Sequence, residues 1–205
     1  MARNLTPIVK QSRREKVALH PKAVKIMKKR QYGPGDHGPS AGRSKPSQYA
    51  LQLREKQKVK RIYGLLEKQF RRVVVEAERR EGVSGDIMLQ LLEQRFDNAV
   101  YRLNLAPSRQ AARQLVTHGH FMLNDRRVDI PSILLKAGDV ITVRPKSSAN
   151  VYFKTMAEGL KQNQPSVRWL SLNATKLEAK VTGLPIREDA EQDIHEQLII
   201  EFYSR

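Results

Sequence analysis

Positive charge is concentrated at one end of this 205-residue chain. Residues 1–80 carry 22 Lys and Arg against 6 Asp and Glu, a net charge of +16, whereas residues 81–205 carry 16 against 15, a net charge of +1. Like charge at that density repels itself unless a polyanion neutralises it. Nucleic acid is the commonest polyanion. An anionic membrane surface would instead call for an amphipathic helix with Trp or Phe on its apolar face, and the single Trp, Trp169, lies far from the basic region. There is no Cys, which excludes a disulfide framework, a Cys-ligated zinc or iron–sulfur site and a Cys nucleophile. No apolar run approaches the ~20 residues of a membrane span. Met1 to Lys10 lacks the apolar centre of an export signal, so nothing suggests export.

Residues 1–46 read as an extended basic arm. Apolar residues are sparse, basic ones recur from Arg13-Arg14 to Lys28-Lys29-Arg30, and Gly33 to Gly42 is a run of turn formers. Such a segment is expected to be ordered by its partner and to add contacts but little stability. Residues 47–81 read as one long helix: Val59, Ile62, Tyr63, Leu66, Phe70, Val73, Val74 and Ala77 repeat at helical spacing. Gly64 is a point where it weakens or kinks. A second helix carries Ile87, Met88, Leu91, Leu92, Phe96, Val100 and Leu103. After the break at Leu105-Ala106-Pro107, Ser108 caps a short helix that Gly119 ends. Strands follow at Phe121 to Leu123 and Val140 to Val143, with a short helix at Lys154 to Gln162. Val167 to Leu172, Leu177 to Val181 and Leu198 to Tyr203 read as C-terminal strands that return to pack on the helical domain, with an acidic stretch from Glu188 to Glu196 before the last. The expected fold class is α+β. A mainly helical domain (47–93, completed by 156–205) holds an inserted small α+β module (94–155), two helices packed on a small sheet.

No catalytic constellation survives inspection. The glycine-rich run 33–42 lacks the Gly-Lys-Ser/Thr ending and the strand–helix context of a phosphate loop. Ser84 lies in Gly-Val-Ser-Gly, not in a nucleophile elbow. His118 and His120 have no third ligand nearby in sequence, so no metal is expected. A helix-turn-helix reading of residues 86–118 is disfavoured by the strand–turn–strand that follows Gly119. Arg109 and Arg113, four apart, are expected to project to one side of the short helix, facing outward, near His118.

The runs Leu92 to Leu103, Ser108 to Phe121 and Leu123-Asn124 closely resemble the small RNA-binding module named after ribosomal protein S-four. Met1-Ala2-Arg3, Ser12 to Glu15, Gln52 to Gly64 and the closing Glu201 to Arg205 extend the resemblance nearly end to end, to the bacterial small-subunit ribosomal protein S-four family. The resemblance implies a structural protein of the small ribosomal subunit. Such a protein binds the 5′ domain of 16S rRNA early, nucleates assembly of the 30S body, contacts ribosomal protein S-five at an interface tied to decoding accuracy, and lines the channel through which mRNA enters. Several relatives hold zinc in an N-terminal cysteine cluster. This chain has no Cys, so its arm is expected to be ordered by RNA and neighbours alone.

On that reading the RNA-binding residues are Arg3, Arg13, Arg14, Arg43 and Lys45 in the arm, and Arg54, Lys56, Lys58, Lys60, Arg61, Arg71 and Arg72 on the long helix. In the module they are Arg109, Arg113, Gln114, His118 and His120. No cofactor and no reaction are expected. Rival readings are an RNA-modifying enzyme or an RNA-binding regulator that carries the same module. The enzyme would need a larger catalytic domain than this chain has room for.

Overall fold

The computed structural model describes residues 6–40, 45–162 and 167–204, the side chains of 161 and 162 excepted. Helices in chain order are α1 (Ile8–Glu15), α2 (Pro21–Lys29), α3 (Gln48–Ile62), α4 (Glu67–Arg79), α5 (Ser84–Glu93), α6 (Phe96–Arg102) and α7 (Arg109–Thr117). Strands β1 (Phe121–Leu123), β2 (Arg126–Val128) and β3 (Val140–Val143) follow, then α8 (Pro145–Ser148) and α9 (Val151–Gln162). Strands β4 (Leu170–Asn173) and β5 (Glu178–Val181) precede α10 (Glu196–Tyr203). The chain divides into two compact units: Met1–Met88 with Asp193–Arg205, and Leu89–Gln192 inserted between them. The first unit is helical and the second α+β, in agreement with the expected fold class.

Within the first unit, three expectations change. The described part of the arm is not extended. Its α1 and α2 pack on each other, and α1 packs on α3. The arm has few apolar residues because it is buried largely through polar ones. Ser12, fully buried, donates to Ile8 O and accepts from Leu19 N, and Gln11 donates to Thr6 O. With Ser12 and Ala23 at zero exposure, the described part of the arm belongs to a core, and its removal should cost stability.

The long helix 47–81 is two helices. Tyr63 and Leu65 are buried at the break, and Gly64 sits at φ +64°, where a side chain would be strained. Leu65 N–H then bonds Lys60 O, and the chain turns into α4, which buries Phe70, Val74 and Ala77 at helical spacing. The expected strand Leu198 to Tyr203 is α10, packed on α3 with Ile199 buried. Its apolar run fits either period, and the groove of α3 selects the helix.

In the second unit a five-stranded antiparallel sheet runs in the order β2-β1-β3-β5-β4. The register sets Phe121 opposite Val143 and Ile141 opposite Ala179, so Phe121, Ile141, Val143 and Ala179 share one face. Phe96 and Val100 of α6, its C-cap Leu103, Ala112 and Val116 of α7, and Phe153 and Leu160 of α9 join that face in one core. Thus β4 and β5, expected with the helical domain, belong to this sheet, and of the C-terminal residues only Asp193–Arg205 belong to the first unit. The second expected helix is likewise divided. Arg95 is extended, Phe96 N–H bonds Ile133 O and Leu135 N–H bonds Gln94 O, so a strand-like exchange with residues 133–135 interrupts the α-helical ladder.

Candidate nucleic-acid interface

The cations of α3 face carboxylates. Arg54 and Arg61 converge on Oε1 of Glu15, a buried residue of α1, with Arg54 Nη1 3.1 Å away. Lys58 Nζ lies 2.7 Å from Glu55 Oε1 and also donates to Asp193 O, while Glu55 Oε1 accepts the His195 amide. Lys56 and Lys60 each reach an oxygen of Glu67 at 2.8 Å, and the Tyr203 hydroxyl donates to the same carboxylate at 2.7 Å. Lys56 also sits 4.4 Å above the Phe202 ring. The five α3 cations expected to grip phosphate therefore tie α1, α4 and the C-terminal segment to α3.

Burial alone would raise the Glu67 carboxyl, but the hydrogen bonds from Lys56, Lys60 and Tyr203 outweigh it and hold the group at about 2, against an ordinary 4.5. A depressed carboxylate contributes stability that is present above its unfolded value and lost as pH falls through its folded one. The parent should therefore lose stability from about pH 4.5 down to pH 2. Glu67→Gln should remove part of that loss. Denaturant unfolding of both proteins at pH 7, 4 and 3 checks it, and the difference between them should shrink on acidification.

The cations without a carboxylate lie elsewhere in this unit. Arg14, Lys22, Lys25, Lys28, Lys29, Arg30, Lys68, Arg71 and Arg72 are exposed and make no ion pair among the described residues. Arg14, Arg71 and Arg72 are among the expected site residues. The α2 cations are not, because a basic run in a segment poor in apolar residues carries no motif that singles them out. Arg13 acts within the fold. Its Nε donates to Tyr32 O at 3.2 Å and Nη2 to Gly33 O at 2.9 Å, with the guanidinium 5.0 Å from the Tyr32 ring centroid. It fastens the glycine-rich turn to α1. Lys45 is exposed. Arg3 and Arg43 lie outside the described residues.

In the second unit, Ser108 accepts the Ala111 amide at 3.2 Å and starts α7, as its residue type predicts. Arg109 and Arg113 do share a side, but that side faces inward. Arg109 Nε donates to Asn98 Oδ1 and Nη2 to Glu191 Oε1, both at 2.9 Å, and the guanidinium stacks 4.5 Å from the Tyr101 ring. Arg113 Nη1 lies 3.5 Å from Asp97 Oδ2, a carboxylate that Arg95 also grips with two hydrogen bonds. Burial alone would raise the Glu191 carboxyl, but the charge and hydrogen bond of Arg109 hold it below its ordinary value. The outward projection fails because the acidic stretch beyond Glu188 supplies Glu191 to this helix, a partner 82 residues away.

These contacts recast the two arginines as framework residues of α6 and α7. Arg109→Ala should cost about 1.5–3 kcal/mol of stability, the worth of hydrogen bonds to charged groups. A double-mutant cycle with Glu191→Ala, read by urea unfolding, should return a coupling of about 1 kcal/mol or more. A coupling near zero would mean that the pair is only a solvated contact.

Gln114 and His118 are exposed on the outer side of α7 and its end, and His120 is half-buried. The two imidazoles lie 6.1 Å apart. The Arg127 guanidinium lies beside Gly119, and Arg144 N–H bonds His120 O at 2.9 Å. Nothing in the sequence marks Arg127 and Arg144, which sit at a strand and a strand end with no shared period. Among the described residues no group of three His, Cys, Asp or Glu is placed to hold a metal ion, and no helix is long and apolar enough to cross a membrane.

Two family models match the chain in succession. The model described as Ribosomal protein S4/S9 N-terminal domain covers residues 3–93, and the S4 domain covers residues 94–141. The chain is 50% identical over 206 residues to the small ribosomal subunit protein uS4 of Chloroflexus aurantiacus, and 50% identical over 206 residues to that of Roseiflexus castenholzii. It is 50% identical over 211 residues to the uS4 protein of Clostridioides difficile. Each of these alignments spans 100% of both chains. A 50% match from end to end, on a helical unit with an inserted S4 domain, shows that the chain belongs to the small ribosomal subunit protein uS4 family.

Proposed function

We propose that this chain is a structural component of the small ribosomal subunit that binds rRNA by neutralising phosphates and carries out no reaction of its own. The observation that carries this reading is the division of its cations. Those of α3 are committed to Glu15, Glu55 and Glu67, whereas those of α2 and the start of α4 lie exposed with no carboxylate partner among the described residues. Folded RNA is recognised largely by shape and backbone, and an exposed field of Lys and Arg on a rigid helical frame suits that mode.

The finer reading is a primary binder of the 16S rRNA 5′ domain that nucleates assembly of the 30S body in the cytoplasm. Neighbouring ribosomal protein S-five shares its role in decoding accuracy, and mRNA at the entry channel is a further partner. Gradient sedimentation tests the coarser statement: the chain should co-sediment with small subunits in low salt and be stripped from them at high salt. Sedimentation as a free protein with subunits lacking the chain in excess would overturn it.

A further inference from the structure

Arg13 and Arg14 are neighbours in α1, yet the fold uses them differently. Successive residues of a helix point about 100° apart, and Arg14 is exposed while Arg13 is half-buried. Arg13 faces the segment that follows α2. Its Nε donates to Tyr32 O at 3.2 Å and its Nη2 to Gly33 O at 2.9 Å, with the guanidinium 5.0 Å from the Tyr32 ring centroid. It pairs with no carboxylate among the described residues.

Among the described residues, the segment 32–40 otherwise bonds only to itself. Gly38 N–H bonds Gly35 O at 3.0 Å, and Ser40 Oγ donates to His37 O at 3.2 Å. Gly38 is buried, and a Cβ there would collide with Gly33 O. The turn thus closes on the same Gly33 carbonyl that Arg13 holds from α1. A glycine-rich segment without such a tie has many conformations to lose when it meets a partner. This one directly follows Lys28-Lys29-Arg30, the basic end of α2.

We propose that Arg13 is a positioning residue for rRNA binding: it holds residues 32–33 on α1 and sets the course of the chain beyond the basic end of α2, without itself touching phosphate. The proposal rests on the rRNA reading and deepens it, since it separates a cation that shapes the interface from cations that contact RNA. The planar guanidinium reaches two carbonyls and a ring at once, a geometry the point charge of Lys does not reproduce. Holding a binding segment in place raises affinity by removing its ordering cost. Neutralising a phosphate raises affinity through counterion release, which alone steepens the salt dependence. The two roles therefore separate by experiment.

The test measures binding of the full chain to a transcript of the 16S rRNA 5′ domain at several salt concentrations, with the melting temperature of each variant. Arg13→Ala should weaken binding about tenfold and keep the parent's log–log salt slope. Arg13→Lys, which keeps the charge and loses the fork, should bind as weakly as Arg13→Ala. Arg14→Ala should instead lower the slope by roughly 0.7–0.9, the share of one phosphate, and Arg14→Lys should bind like the parent. Gly38→Ala changes no charge and leaves α1 as it is. It should also weaken binding at the parent's slope, and it decides the question if Arg13→Ala lowers the melting temperature. A lower slope in Arg13→Ala that Arg13→Lys restores would place Arg13 on a phosphate. Parent-like affinity in Arg13→Ala and Gly38→Ala would show that the turn needs no fastening. Either result would overturn the proposal and leave the ribosomal reading standing, whereas a parent that does not bind the transcript would overturn both.

Discussion

Between 50 mM and 200 mM salt, the affinity of this chain for small-subunit rRNA is expected to fall about 10³-fold or more. The expectation follows from the number of exposed cations that no carboxylate holds. Thirteen stand among the described residues of the first unit, the nine from Arg14 through α2 to Lys68, Arg71 and Arg72 together with Lys10, Lys16, Lys45 and Arg79. Each phosphate they neutralise releases counterions, and about six to ten such contacts produce a loss of that size. The five α3 cations should contribute little to this slope, because their partners are internal and stay in place when RNA leaves. A slope near zero would show that shape or base contacts, not phosphates, hold the complex.

Glu93→Ala is expected to cost about 3–5 kcal/mol of stability, the usual result of breaking a buried ion pair from one side. The Glu93 side chain is 0% exposed. Its Oε1 accepts from Arg102 Nη2 at 2.7 Å, and its Oε2 from Arg102 Nε at 2.9 Å and Asn98 Nδ2 at 2.8 Å. Asn98 in turn accepts from Arg109. One carboxylate thus fixes the relation of α5 to α6 and, through Asn98, to α7. Removing it leaves a guanidinium and an amide buried with too few acceptors. Trp169, the only Trp and buried in the same unit, reports the unfolding by fluorescence. Replacing Glu93 and Arg102 together by Leu should cost much less than Glu93→Ala, since the penalty lies in the orphaned charge. Equal losses in the two variants would locate the cost in packing.

The sequence spoke clearly wherever a signal is local. The Ser108 cap, the break at residues 105–107, and strands β1 and β3 were all visible in it. What it could not show is which cation meets which carboxylate. Glu15 reaches Arg54 and Arg61 across 39 and 46 residues, Glu67 reaches Tyr203 across 136, and Glu191 reaches Arg109 across 82. Spacing on a helix says that two arginines share a face, but not what stands opposite that face. The arm misled for a related reason: a segment poor in apolar residues looks unfolded, yet Gln11 and Ser12 bury with hydrogen bonds to the backbone, and Glu15 buries with Oε1 against Arg54 and Arg61 of α3. The α10 segment misled differently, since a run as apolar as Leu198-Ile199-Ile200 has no period of its own.

Lys22, Lys25 and Lys29 lie three and four apart on α2, on the side away from the buried Ala23. The salt slope of 5′-domain rRNA binding for the full chain with these three residues changed to Gln tests most directly whether unpaired cations are the RNA-facing ones. With an unchanged melting temperature, the slope should fall by about 2, at roughly 0.7–0.9 for each phosphate no longer neutralised. A variant that keeps the parent's slope and affinity would contradict the assignment of RNA contact to the cations that the fold leaves without a partner.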